Sequence, residues 1–161
     1  MLKPLKVAQS PANKFREYLA SRAKPQRYTE AQRQMVEFIF SAHDHFDADQ
    51  LCSDLDKARI QISRATVYRT LAKLVDAGML RQIHLGNRVV YEHEYGYPEH
   101  AHLHCNQCGK MIEFQSEELE NLVQVICQKN RFAMSSFNLL VHGTCFECNS
   151  KRTAQRRLDL V

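Results

Sequence analysis

Ile62-Ser63-Arg64-Ala65-Thr66-Val67-Tyr68-Arg69-Thr70-Leu71-Ala72-Lys73-Leu74-Val75-Asp76-Ala77-Gly78 is the stretch that decides the fold. Val67, Leu71, Leu74 and Val75 recur at helical spacing behind Ser63, a good N-cap, and Gly78 falls where a left-handed residue closes a helix. The spacing predicts a helix over about 64–77. Two short runs with strand character follow, Met79 to Leu85 and Arg88 to Glu92, joined through Gly86-Asn87 as a hairpin would be. Upstream, Asp47-Ala48-Asp49-Gln50 opens a helix with Leu51, Cys52 and Leu55 turned inward, and Thr29-Glu30-Ala31-Gln32 is a capping box for a helix running to about Ala42. Pro4 and Pro11 predict no stable helix in the first dozen residues, and Lys14 to Arg22 reads as a short basic helix. Helices followed by a hairpin make a winged helix.

On the helix over 64–77 the apolar residues group on one side, and Ala65, Thr66, Arg69 and Lys73 point the opposite way with Tyr68 on the border. A methyl, a hydroxyl, an aromatic ring and two cations suit the major groove of DNA, where arginine reaches guanine and apolar groups meet thymine methyls. The helix from Asp47 would then cross the backbone. Arg81, Arg88 and the lysines of the N-terminal arm could hold phosphates. A solvated face or a protein-binding module fits the same pattern.

Glu94-Tyr95-Gly96-Tyr97-Pro98-Glu99 combines Gly and Pro and is the expected linker. Residues 1–93 and 100–150 are thus expected to be separate modules joined by a hinge over 94–99, with a basic tail over 151–161. In the second module, His100 to Cys105 and Lys110 to Phe114 read as strands around a turn. Ser116 caps a helix with an acidic first turn and an expected buried stripe of Leu119, Leu122, Val123 and Ile126, and a strand at about Asn138 to His142 leads to Cys145.

Cys105-x-x-Cys108-Gly and Cys145-x-x-Cys148, with 36 residues between the pairs, are a strong zinc signal. Two residues between thiolates let both sulfurs of one tight turn reach an ion, and two such turns complete a closed tetrahedral site whose Zn²⁺ is structural. The competing reading is a set of buried or redox thiols. Cys52 and Cys127 lie in helix stripes and read as small core residues. Glu99-His100-Ala101-His102-Leu103-His104 carries a second signal, because imidazoles at alternate strand positions share a face and can chelate one ion. Glu92, His93, Glu113 and the His43-Asp44-His45 segment are the further candidate donors. Imidazole with carboxylate suits Fe(II), Mn(II) or Zn(II).

The chain has 161 residues, 44% apolar and 25% charged, which allows two small modules and excludes collagen, low-complexity disorder and a membrane-spanning chain. No apolar run approaches the roughly 18 residues of a transmembrane helix, and the start lacks a signal sequence's apolar region, so the expected compartment is the cytoplasm. There, paired cysteines favour metal over disulfides. Charge divides unevenly, +5 over residues 1–92 and −1 over 93–161, so the first half is the expected anion binder.

These motifs together resemble the ferric uptake regulator family over about residues 27–150. Arg27-Tyr28-Thr29-Glu30-Ala31-Gln32-Arg33 is similar to its helix entry, His45-Phe46-Asp47-Ala48-Asp49 to its His-containing loop, and Ile62 to Leu71 to its recognition helix. Val90-Tyr91-Glu92, His100-x-His102 and Cys108-Gly-Lys-Met-Ile-Glu113-Phe follow in order. The resemblance implies an α+β architecture, an N-terminal winged helix-turn-helix domain followed by a small α/β dimerisation domain with a four-cysteine zinc site. It implies a homodimeric metal-activated repressor that closes on an inverted-repeat DNA operator.

By the same resemblance, His45, Glu92, His100, His102 and Glu113 match the regulatory metal site, and Cys105, Cys108, Cys145 and Cys148 match the structural zinc. The expected DNA-contacting residues are Arg64, Ala65, Thr66, Tyr68, Arg69, Lys73 and Arg88. A further site of many members would align with Glu99, Ala101, Glu120 and Phe137; alanine and phenylalanine cannot coordinate, so it is expected to be absent. His104 reads as a spare surface group beside Cys105. Glutamate at 92 and 113, where peroxide sensors carry aspartate, and the lack of a spare cysteine tilt the expectation to Fe(II) sensing and control of iron uptake. Peroxide, manganese or zinc sensing in the same family is the alternative. From another class, a metal hydrolase with glutamate as general base has no His-Glu-x-x-His helix or nucleophile motif behind it, so no catalytic residue and no enzyme is expected.

Overall fold

The computed structural model describes residues 5–42 and 44–151; the first residues of the arm, His43 and the tail from residue 152 lie outside the described residues. The described chain divides into two compact units between Pro98 and Glu99. None of the described helices is long and apolar enough to cross a membrane.

The first unit runs α1 (Pro11–Ser21), α2 (Glu30–Ile39), α3 (Ala48–Lys57), α4 (Arg64–Asp76), β1 (Leu80–Leu85) and β2 (Arg88–His93). Each helix start is satisfied by a side-chain oxygen: Ser10 accepts from the Asn13 amide, Thr29 and Gln32 form a reciprocal capping box, Asp47 accepts from Gln50 and Ser63 from Thr66. The helix expected from Lys14 therefore begins at Pro11. Proline at the first helical position has no amide hydrogen to leave unpaired, and its fixed φ favours the helix. Helix α2 stops at Ile39, short of Ala42.

Phe15, Leu19, Met35, Val36, Leu55, Val67, Leu71, Leu74, Met79 and Leu80 are sealed from solvent in a single core. Each contributes about 1.5–3 kcal/mol of burial. The capping-box residue Gln32 is itself buried and donates to Thr70 Oγ1 at 3.4 Å, tying α2 to α4. Gly78 and Gly86, with φ near +60°, close α4 and turn the hairpin. The hairpin register pairs Leu85 with Arg88 and hence Arg81 with Glu92. An isolated bridge, Phe46 to Tyr91, adds the loop before α3 to the outer edge of β2. The expected linker is held by this unit through its first residues, because the amides of Glu94 and Tyr95 both donate to the Met79 carbonyl.

The second unit has β3 (Ala101–Cys105), β4 (Met111–Phe114), α5 (Glu117–Lys129) and β5 (Leu140–Gly143), with sheet order β4-β3-β5. β3 pairs antiparallel with β4 and parallel with β5, so α5 is the crossover that a parallel pair requires. Residues 146–151 are helical. Helix α5 is capped by Ser116 and has three glutamates in its first turn, as its sequence dictates. Its expected buried stripe is not buried: Leu122 is 57% and Ile126 50% exposed, and Leu119 and Val123 are half-buried. Cys127 is likewise half-buried and no core residue. Apolar periodicity specifies a face and not what covers it, and Leu103, Ile112 and Val141 of the three-stranded sheet are exposed as well.

Candidate functional site

Cys105 ends β3, Cys108 closes the turn that follows, and Cys145 and Cys148 lie beyond β5. Gly109, at φ +73°, lets the chain reverse directly after Cys108. One sulfur from each of the four residues falls within 4.8 Å of all the others, and Cys108 Sγ lies 3.8 Å from Cys145 Sγ. Sulfurs held at about 2.3 Å around a tetrahedral Zn²⁺ stand about 3.8 Å apart, so the cluster has the bite of a structural zinc.

Its electrostatics agree. Amide hydrogens of Cys145, Cys108 and Gln107 point at the Cys105 sulfur and bring its pKa down to about 6. Crowding by the Cys145 and Cys108 sulfurs pushes Cys148 up to about 12. Without a cation the four cannot ionise together; a divalent ion removes that conflict. Lys110 Nζ donates to Glu147 Oε1 at 2.7 Å and braces one cysteine turn against the other.

The two remaining donor groups lie one in each unit. The Phe46–Tyr91 bridge, with hydrogen bonds in both directions at 3.2 and 2.7 Å, places the residues beside it together, and His45 Nε2 lies 3.1 Å from Glu92 Oε2. Glu92 is 1% exposed and also ion-paired to Arg81. In the second unit, antiparallel register sets His102 opposite Glu113, and His100 joins them, with ligand atoms of the three within 4.8 Å of one another. His100 and His102 are both buried, with ring centroids 4.7 Å apart. The sequence-expected ligands are thus gathered as one pair and one triad of nitrogen and oxygen donors, with no thiolate among them. Such sets suit Fe(II), Mn(II) or Zn(II).

On α4, Arg64, Ala65, Tyr68 and Arg69 are exposed, and Lys73 is half-buried. Thr66 is half-buried and its hydroxyl lies 2.9 Å from that of Ser63, so it belongs to the helix cap as much as to the outer face. Asp49 on α3 accepts from Tyr68 Oη at 2.8 Å and pairs with Arg64. Arg88 pairs with Asp47, and Arg69 Nε donates back to the Ala65 carbonyl at 3.1 Å. Arg81, expected to hold phosphate, instead neutralises Glu92; the pairing is readable from the turn, since Gly86-Asn87 fixes the cross-strand partner. Asp49 as the partner of Arg64 and Tyr68, and Asp47 as the partner of Arg88, carry no local sequence signal, because they meet these side chains only through the packing of α3 on α4 and on β2.

The sequence model of the Ferric uptake regulator family matches residues 24–142. The ferric uptake regulation protein of Neisseria meningitidis is 32% identical over 115 residues, 71% of this chain and 79% of that one. The peroxide-responsive repressor of Staphylococcus aureus is 26% identical over 125 residues, 78% of this chain and 84% of its own. Among solved structures, the ferric uptake regulator from Francisella tularensis with iron superposes with a TM-score of 0.68 at 25% identity, covering 80% of this chain and 98% of that one. The α+β fold, the cysteine cluster and these likenesses agree: the chain belongs to the ferric uptake regulator family of metal-responsive transcriptional repressors, and is a regulator and not an enzyme.

Proposed function

We propose that this chain is an Fe(II)-responsive repressor of iron-uptake genes, acting in the cytoplasm as a homodimer on an inverted-repeat DNA operator. The observation that carries this reading is the pair of thiolate-free donor groups, His45 with Glu92 and His100 with His102 and Glu113, each gathered within its own unit. All five would serve one regulatory ion, which when bound supplies a multivalent electrostatic tether. Donors drawn from both units let metal affinity bias their mutual arrangement. Shifting such an equilibrium from about 1:99 to 99:1 takes about 5.5 kcal/mol of differential affinity. Residues 1–93 would bind DNA, 94–99 form the hinge, 100–150 dimerise and 151–161 add a basic tail.

Arg64, Ala65, Thr66, Tyr68, Arg69 and Lys73 would face the groove, with Arg88 on a phosphate; Arg64, Tyr68 and Arg88 would exchange an aspartate partner for DNA. Dimerisation through the second unit is supported by the exposed Leu122, Val125, Ile126 and Phe132. The test is the affinity of the zinc-loaded protein for an operator selected from random DNA, measured anaerobically at fixed salt with Fe(II), Mn(II) or Zn(II) added. Fe(II) should tighten binding well beyond tenfold, and His102→Ala should abolish the gain. Equal affinity with every metal overturns the reading, and a gain confined to Mn(II) or Zn(II) reassigns the effector.

A further inference from the structure

His104 and His142 have no part in either metal group above, yet the parallel register of β3 and β5 sets them directly opposite each other. Their Nδ1 atoms are 3.4 Å apart, with the rings at 85°. His142 Nδ1 also lies 3.3 Å from Asn106 Oδ1. Both separations are long for hydrogen bonds, which centre near about 2.9–3.0 Å. They match another distance. Imidazole nitrogens at about 2.05 Å from a tetrahedral ion stand about 3.3–3.4 Å from each other.

We propose that His104, His142 and Asn106 form a further cation site, open to solvent, for a borderline divalent metal that takes tetrahedral coordination, Zn(II) above all. Two imidazoles and an amide oxygen select this class over Mg²⁺ and Ca²⁺, which take oxygen alone. The three residues cover a single strand end. His104 and Asn106 flank Cys105 in the chain, and His142 lies three residues before Cys145. An ion here staples the edge strand β5, four residues long, to β3 beside the point where each strand delivers a cysteine. Water completes the coordination, which makes the site weaker and faster-exchanging than the closed thiolate cluster.

The test uses the full chain with its thiolate-held zinc in place and Zn(II) as the probe. Imidazole nitrogen resonances of His104 and His142 are followed as Zn(II) is added against a competing chelator, in the His102→Ala background, so that the other imidazole group is disabled. The Nδ1 resonances of both residues should move together along one saturable curve, and His104→Ala and His142→Gln should each weaken that binding by about tenfold or more. Unmoved resonances, movement of one ring alone, or affinity unchanged in both variants overturns the site. The resonance measurement itself needs no change at 104 or 142, so loss of the cysteine-held zinc in His104→Ala would leave the result decisive.

Discussion

Glu92→Gln removes a negative charge from a side chain that is 1% exposed and leaves the Arg81 guanidinium, 16% exposed, against a neutral amide. Removing one member of a buried ion pair costs about 3–5 kcal/mol, because the surviving charge stays desolvated and loses that attraction; Arg81's residual contact with solvent puts this pair at about 3. For a module of this size the loss corresponds to a drop in Tm of about 12–24 °C, at about 4–8 °C per kcal/mol. Arg81→Met should also destabilise, by less, because the carboxylate keeps the His45 imidazole at 3.1 Å. The double variant should then be less destabilised than the sum of the singles by about 2 kcal/mol or more, the signature of a direct interaction. Urea unfolding at pH 7 followed by far-ultraviolet circular dichroism, with the cysteine zinc retained and no other divalent ion added, measures all three. A cost below about 1 kcal/mol for Glu92→Gln, or singles that add within about 0.5 kcal/mol, would refute the account of Glu92 as a carboxylate kept charged in the core by Arg81.

Cys148→Ser should lower zinc content from one ion per chain and unravel the second unit, since binding energy at such a cluster is folding energy; full zinc retention against a strong chelator contradicts that. Asp47→Ala should cost about 1 kcal/mol at neutral pH through loss of the α3 cap. The Asp47 carboxyl is held below 3.8 first by the Gln50 amide and then by Arg88, so this contribution is present above the unfolded value and fades as pH falls through the folded one. Melting curves of the variant and the parent should therefore converge in acid, and a gap that persists unchanged there would exclude the charged cap. Tyr68→Ala and Arg69→Ala should each weaken operator binding by about 1–3 kcal/mol in a fixed-salt binding assay, and unchanged operator selection in both would move the reading surface off α4.

What can be read directly from residues is what local chemistry determines. Thr29 with Gln32, Asp47, Ser63 and Gly78 mark helix ends because each satisfies or relieves backbone within a few residues of itself. The cysteine spacing is equally local, and its cluster forms. Pro11 misleads because the same ring that breaks a helix interior is favoured at its first position, and only the neighbouring Ser10 distinguishes the two. Arg81 reads as a phosphate contact only while the hairpin turn, which dictates its partner, is left out of the reading. The α5 stripe shows where periodicity stops, since it names a face and not what lies against it. The donors at 45, 92, 100, 102 and 113 are a harder case: each is an ordinary residue alone, and resemblance, more than composition, groups them. The pairing of His104 with His142 depends on a parallel register across a helical crossover, which no local pattern encodes.

The bridge between Phe46 and Tyr91 has an energetic consequence for the loop it fastens. A loop donor free in solution must surrender its conformational entropy when it binds, and that loss is subtracted from affinity. Here the two backbone hydrogen bonds and the stacked rings, 5.8 Å between centroids, order the loop as the unit folds, so His45 reaches Glu92 with the ordering already complete. Under the proposed function, Phe46 and Tyr91 thereby help set how tightly the proposed ligands beside them, His45 and Glu92, would hold an ion.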